Sequence, residues 1–334
     1  MRRRRWNFCC ASSNLKRMRL DRRRFFFVSS SAAFAATPLA RLLAQAAAQA
    51  PAQAAAAPAV TPVFAGVRRN VGIFTARGGT IGYLINKDGV LVVDTQYPDT
   101  AKTCLDGVKQ RDGGRRIDLV FNTHHHADHT GGNGVFKPET AKIVAHAKVP
   151  DLLKMVAASA PAGSAPPVFP DATFDNTWGD KIGDESFTAS YDGPGHTSGD
   201  AIVHFERAHV VHMGDLLFYE RHPRVDRPAG ASIRNWIVIL EKTAKRFPAD
   251  TIYIAGHAKD GVAPTVDQKA VLRFRDYLTA ALEFTRKGIA AGQTKDAIAA
   301  APSLQGFEGY QGGGPLTLKG VLESAYDELT AKAP

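Results

Sequence analysis

Cysteine is scarce, with three in the chain, and two of them, Cys9 and Cys10, lie in an N-terminal stretch that reads as removable. Cys104 is then the sole cysteine of the mature chain, so no internal disulfide can form even in an oxidising compartment. It has no neighbour that would make it a nucleophile and reads as a core residue on a helix face. Long apolar runs are also missing. The run from Phe25 to Ala36 is interrupted by Pro38 and Arg41, short of the roughly 20 apolar residues that cross a bilayer. There is no phosphate-binding glycine loop and no solenoid repeat, and Gly312-Gly313-Gly314 reads as a turn. A net charge outside the N-terminal stretch is absent too. The net charge of +10 resides in residues 1–50, which carry ten Arg and one Lys against Asp21, leaving 31 basic and 31 acidic residues elsewhere. A balanced body gives no electrostatic footprint for nucleic acid.

That N-terminal stretch is laid out as a secretory signal over residues 1–46: a basic region ending at Arg24, the short apolar run, and small-residue cleavage options such as Ala44-Gln45-Ala46 and Ala48-Gln49-Ala50. Asp21-Arg22-Arg23-Arg24-Phe25-Phe26 resembles a twin-arginine export signal; an ordinary signal with an arginine-rich start is the alternative. Translation starts at Met1 or at Met18, which is followed by a basic region of more usual length. A periplasmic or secreted location and passage through the export machinery are the expectations. Residues 47–62 are almost all Ala, Pro and Gln, too poor in bulky apolar side chains to pack, and read as a linker.

From Val63 onward strand and helix signals alternate. Val71 to Ala76, Ile81 to Ile85 and Val90 to Asp94 read as strands, the last two forming a hairpin around Lys87-Asp88-Gly89. A helix is expected over Thr100 to Arg111, then a buried strand over Ile117 to Asn122, a short strand at Ile143 to Ala145 and a helix at Val149 to Ala158. The loop Pro161 to Pro170 precedes a second half of similar style, with strands near Phe187 to Tyr191, Ala201 to Phe205, Val210 to Met213 and Thr251 to Ile254, and a helix from Ser232 to Phe247. Helical segments around Val266 to Lys287, Thr294 to Ala300 and Leu316 to Thr330 close the domain of residues 63–334. Two such halves suggest an α/β fold built as a four-layer αβ/βα sandwich.

The densest chemistry is Thr123-His124-His125-His126-Ala127-Asp128-His129, directly after a strand. Loops at the C-terminal ends of such strands are where α/β proteins usually hold ligands. A lone histidine is more often a satisfied core or surface residue, but imidazoles and a carboxylate this close suit zinc, and Gly131 and Gly132 permit tight curvature. Further donors stand at strand-to-loop exits: His196 in Pro194-Gly195-His196-Thr197, Asp215 after His212-Met213-Gly214, and His257 after Ala255-Gly256.

Together these residues resemble the metallo-β-lactamase superfamily over nearly all of the mature chain to about residue 265. The resemblance implies that His124, His126 and His196 hold one zinc ion, that Asp128, His129 and His257 hold another, and that Asp215 bridges the two. Iron or manganese could use the same donors. It also implies a hydrolase acting on an ester, lactone, lactam or related bond of a small molecule, with Asp128 and Asp215 as catalytic residues. The alternatives are a β-lactamase proper, an iron-dependent oxidoreductase on the same fold, and a non-catalytic metal-binding protein. Asp215 stands where one lactamase subclass carries Cys, and Phe218 where that subclass often carries Lys. Of the other histidines, His125 is expected to face away, His146 to support a ligand, and His204, His209 and His212 to be structural. His222, Arg221, Arg224 and Arg227, in the loop after Asp215, are the candidate substrate contacts.

Overall fold

The computed structural model describes residues 61–331. The expected signal segment with Cys9, Cys10 and Met18, and the linker up to residue 60, lie outside the described residues. No helix among them is long and apolar enough to cross a membrane.

Two sheets face one another. The first runs β1 (Val63–Arg68), β2 (Val71–Thr75), β3 (Ile81–Asn86), β4 (Gly89–Val93), β5 (Leu119–Asn122), β6 (Ile143–His146) and β7 (Ala172–Phe174) in spatial as in chain order. Its first four strands are antiparallel and β4 to β7 parallel. The hairpin of β3 and β4 pairs Asn86 with Gly89, and the Asn86 side chain accepts from the Asp88 and Gly89 N–H groups, which fixes the turn. Parallel neighbours need a crossover, and these are α1 (Pro98–Asp112), the single-turn helices α2 (Ala127–Thr130) and α3 (Asn133–Phe136), and α4 (Val149–Ser159).

The second sheet contains β8 (Thr177–Ile182), β9 (Glu185–Ser190), β10 (Ile202–Phe205), β11 (Val210–His212), β13 (Ile252–Ile254) and β15 (Thr265–Val266). A two-strand ribbon, β12 (Phe218–Tyr219) with β14 (His257–Ala258), stands beside it in the chain. Helix α5 (Ile233–Arg246) makes the crossover between the parallel strands β11 and β13, and α6 (Gln268–Ala290), α7 (Lys295–Ala299) and α8 (Leu318–Thr330) follow.

The pleat sorts the side chains into layers. On β4, Leu91 and Val93 join the core shared with β9 and β10, whereas Val90 and Val92 join the core under α1, which contains the fully buried Cys104. On β10, Val203 and Phe205 face the other sheet, and Ile202 faces α5 and α6. The result is helix, sheet, sheet, helix, the four-layer sandwich expected from the sequence.

Strands β1, β7 and β8 were not legible in the sequence. Strand β8, Thr-Trp-Gly-Asp-Lys-Ile, is mostly exposed and carries no apolar alternation; its place comes from six paired positions along β9. The parallel strand ends and the β9–β10 connection open on the same edge of the sandwich, where the chemistry-bearing loops converge.

Candidate metal centre

Asp94 ends the apolar strand β4 in a left-handed conformation, φ 67°, and is completely buried. It accepts from the Thr123 N–H and hydroxyl, both at 2.8 Å, and from His129 Nδ1 at 2.7 Å. A conformation this unfavourable for a side-chain-bearing residue persists because three contacts hold it. Asp94 thereby ties the end of β4 to the histidine-rich loop after β5.

The seven expected donors come together. His126 Nδ1 lies 3.1 Å from His124 Nε2 and 2.8 Å from His196 Nε2. Asp215 Oδ2 is 3.4 Å from His196 Nε2 and 3.9 Å from His124 Nε2. Its other oxygen, Oδ1, is 3.0 Å from His129 Nε2 and 3.4 Å from His257 Nε2, and His257 Nε2 is 3.1 Å from Asp128 Oδ2. Donors bound to one ion at about 2.0–2.1 Å in tetrahedral geometry stand about 3.3 Å apart, close to these separations. The fit to metal has a second observation behind it: His129 Nε2 and Asp215 Oδ1 are buried and, although 3.0 Å apart, neither has a hydrogen bond of good geometry, a costly arrangement unless another group satisfies them.

Each of four imidazoles is fixed by its outer nitrogen. His196 Nδ1 donates to the Arg224 carbonyl at 2.8 Å, His126 Nε2 to Asp226 Oδ2 at 2.7 Å, and His129 Nδ1 to Asp94. The Thr123 hydroxyl gives its proton to Asp94 and so accepts from His124 Nδ1, 3.0 Å away. When these rings are neutral, the inward nitrogens carry the lone pairs, the tautomer that a metal requires. Asp94, Thr123 and Asp226 were missed in the sequence. The available signal for Asp94 was an acid closing a wholly apolar strand; Asp226, between two arginines in a loop, carried none.

Two glycines let the centre close. A Cβ on Gly79 would overlap the His129 ring, and one on Gly256 would overlap Asp215 Oδ1. Asp200 braces the His196 loop, accepting from the Thr197 hydroxyl at 2.6 Å and from the Gly195 and Thr197 N–H groups; burial raises its pKa to about 7 against these donors.

The electrostatics divide the ligands. Burial opposes a charge on His257, but the carboxylates of Asp215 and Asp128 together outweigh it and lift the imidazole to about 9. For His129, burial is likewise overcome by Asp215, Asp128 and Asp94, and the pKa lies well above the ordinary value. Burial holds His196 down at about 3 and His124 well below its usual value. Asp128 and Asp215 are both depressed: burial alone would raise them, but the neighbouring imidazoles prevail.

His125 lies outside the two groups formed by the seven donors and groups only with His126 and Asp226. It is buried, 4.5 Å from the His126 ring, and neither ring nitrogen has a partner. His146 stacks on Tyr191 and bonds the Asp175 carbonyl, and Tyr191 in turn donates to the Ser198 carbonyl beside the His196 loop. His212 bridges to the Thr80 carbonyl at 3.0 Å, His209 pairs with Asp250 at 2.9 Å, and His204 packs on Phe247.

The four candidate substrate contacts separate. The Arg221 guanidinium is engaged by the Ala258 carbonyl and Asp260, and that of Arg227 by the Ala231 carbonyl and the buried Glu328. His222 Nδ1 takes the Tyr277 hydroxyl at 2.7 Å. Arg224, with its side chain 47% exposed, pairs with Asp226 at 3.0 Å and so stands one residue from ligand His126.

The family model described as the metallo-beta-lactamase superfamily matches residues 75–257, a span from β2 to the last of the seven donors. A metallo-beta-lactamase type 2 of Elizabethkingia meningoseptica is 27% identical over 176 residues, 52% of this chain and 67% of that protein. Among solved structures, the metallo-beta-lactamase IND-7 superposes with a TM-score of 0.54 at 21% identity, covering 65% of this chain and 98% of that one. The stereoselective inverting sec-alkylsulfatase Pisa1 from Pseudomonas sp. superposes with a TM-score of 0.63 at 15% identity, covering 80% of this chain and 50% of that one. At such identities the structural likeness speaks for the fold, while the family match covers more than half of the sequence and includes the histidine-rich loop. The chain belongs to the metallo-beta-lactamase superfamily.

Proposed function

We propose that this protein is an exported hydrolase working with two zinc ions on an ester, lactone, lactam or related bond of a small molecule. The observation that carries the reading is the division of the Asp215 carboxylate, one oxygen toward His124 and His196 and the other toward His129 and His257. Zinc ions, when bound, supply Lewis acidity and a more acidic water. Asp128, its side chain 22% exposed and the most open of the ligand carboxylates, faces the cleft and orients the water that attacks. Asp215 keeps the two donor sets in register. The half-exposed Arg224 offers an anion on the substrate a charge-assisted hydrogen bond. No protein nucleophile is needed for this chemistry. The basic and apolar segments of residues 1–46 support export to the periplasm or beyond.

The test is turnover by the zinc-loaded protein of a chromogenic cephalosporin, aryl lactones, aryl esters, a thioester and a phosphodiester. Activity should disappear with chelator and return with zinc. Asp128→Ala and Asp215→Ala should each lower turnover by about 100-fold or more with the fold retained. Full turnover and full metal content in both variants would overturn the assignment. Iron in the natively purified protein, with oxygen consumption and no hydrolysis, would turn it to the oxidoreductase reading.

A further inference from the structure

The metal cleft has two flanks. On that of His126 stand Asp226 and the guanidinium of Arg224. On that of Asp128 stand the β2–β3 turn and the residue preceding α1. The Gly79 N–H donates to the Asp128 carbonyl at 3.0 Å, and Gln96 Nε2 donates to the Gly79 carbonyl at 2.6 Å. The Gly132 N–H donates to the Gln96 carbonyl at 2.7 Å. These bonds clamp the Arg77–Gly79 turn and Gln96-Tyr97 around the backbone of Asp128. Arg77 then lies over the Tyr97 ring, 4.2 Å from its centre, and is anchored by Asp99 at 2.6 Å. The Thr100 hydroxyl lies 3.2 Å from both the Arg77 and Tyr97 carbonyls. Tyr97 is partly exposed, its ring is fixed, and among the described residues its hydroxyl has no hydrogen-bond partner.

From this geometry we infer that Tyr97 is a substrate-contacting residue of the cleft, its phenol donating a hydrogen bond to the atom of the leaving group that becomes negative as the scissile bond breaks. The inference rests on the hydrolase reading above and names a residue that deepens it. The new bond joins the water oxygen to the electrophilic centre, and the broken bond leaves its electron pair on the departing atom. The proton that this atom finally takes comes from the water. Tyr97 keeps its own proton throughout and acts as a fixed neutral donor, while Arg77 over the ring face adds a cation–π contact and withdraws charge from the ring. Burial and the charge of Asp128 both hold the phenol above its ordinary pKa, against Arg77 and His129, so the donor stays protonated.

A leaving group needs such a donor in proportion to its basicity, and this gives the test. The zinc-loaded full chain and its Tyr97→Phe variant are compared on phenyl acetates bearing 4-nitro, hydrogen and 4-methoxy substituents, with zinc content and melting temperature measured alongside. The variant keeps the ring and the Arg77 contact. Its kcat on the 4-methoxy ester is expected to fall by about 10- to 100-fold, the worth of a hydrogen bond to a charged atom. The loss on the 4-nitro ester should be much smaller, with zinc content, melting temperature and KM nearly unchanged. Equal loss across the series, no loss at all, or loss of zinc would overturn the role of Tyr97. A wild-type protein that binds zinc and hydrolyses neither these esters nor any other compound of the panel would overturn the hydrolase reading and this inference with it.

Discussion

At the scale of single residues, the metal centre depends on groups that never touch a metal. Asp226 fixes the His126 tautomer across 2.7 Å and is held well ionised: burial opposes its charge, but His126 and Arg224 prevail. Asp226→Asn should therefore weaken zinc at the His124, His126 and His196 position by about 10- to 100-fold, leaving the Asp128, His129 and His257 position near its original affinity. Stepwise competition with a chromogenic chelator measures this; equal weakening of both positions would contradict the assignment. The clustered histidines and aspartates were legible because their residue types are costly to bury together without a purpose. Their supports were not, since an aspartate in a loop looks the same whether it caps a turn, meets solvent or orients a histidine. Only the fold brought Asp226 to His126 across 100 positions of sequence.

Among elements, the best-read ones were those with a strong internal period. Helix α5 places Ile233, Trp236, Ile239, Leu240 and Ala244 on one buried face, spaced at three and four residues, and β10 alternates between two cores. Strands β12, β14 and β15 have two residues each, too short to show any period. The C-terminal helices also complete another element. Glu328 of α8 accepts from the Ile233 and Arg234 N–H groups and from the Ser232 hydroxyl at the start of α5, and pairs with Arg227. It satisfies orphan donors of that helix and balances a partly buried guanidinium. Glu328→Ala should destabilise the protein by about 3 kcal/mol, read by urea denaturation of the metal-loaded protein. A change under about 0.5 kcal/mol, typical of an unconstrained surface position, would mean that water replaces the carboxylate.

On the scale of the whole molecule, a metal held by these donors would tie together loops that leave both sheets: the His124–His129 loop from the first, and Asp215 and His257 from the second. Binding stabilises the folded state by about 2.7 kcal/mol per ion at a hundredfold excess over Kd, so removal of metal should lower the melting temperature by roughly 5 °C or more. The acid–base sign follows from His257, whose pKa in the metal-free protein is about 9 against an ordinary 6.5. In the metal-free protein the imidazolium's stabilising contribution is complete below pH 6.5 and is lost as pH rises through about 9. Zinc requires the neutral rings of His257 and His129, so uptake at pH 7 should release at least one proton and affinity should climb as pH rises toward 9. Calorimetry in buffers of different ionisation enthalpy detects that proton; uptake without release would overturn the charge state given to His257. By itself the sequence determined the class of fold, the order of its main elements and the histidines and aspartates that the fold gathers into one cluster, because apolar periodicity and dense clusters of imidazole and carboxylate are local properties of the chain. The tertiary structure alone decided which nitrogen of each histidine faces inward and which arginine stands half-exposed beside His126, paired with Asp226. Those depend on side chains that meet across strand ends far apart in the chain, where distance and burial, rather than spacing, set the chemistry.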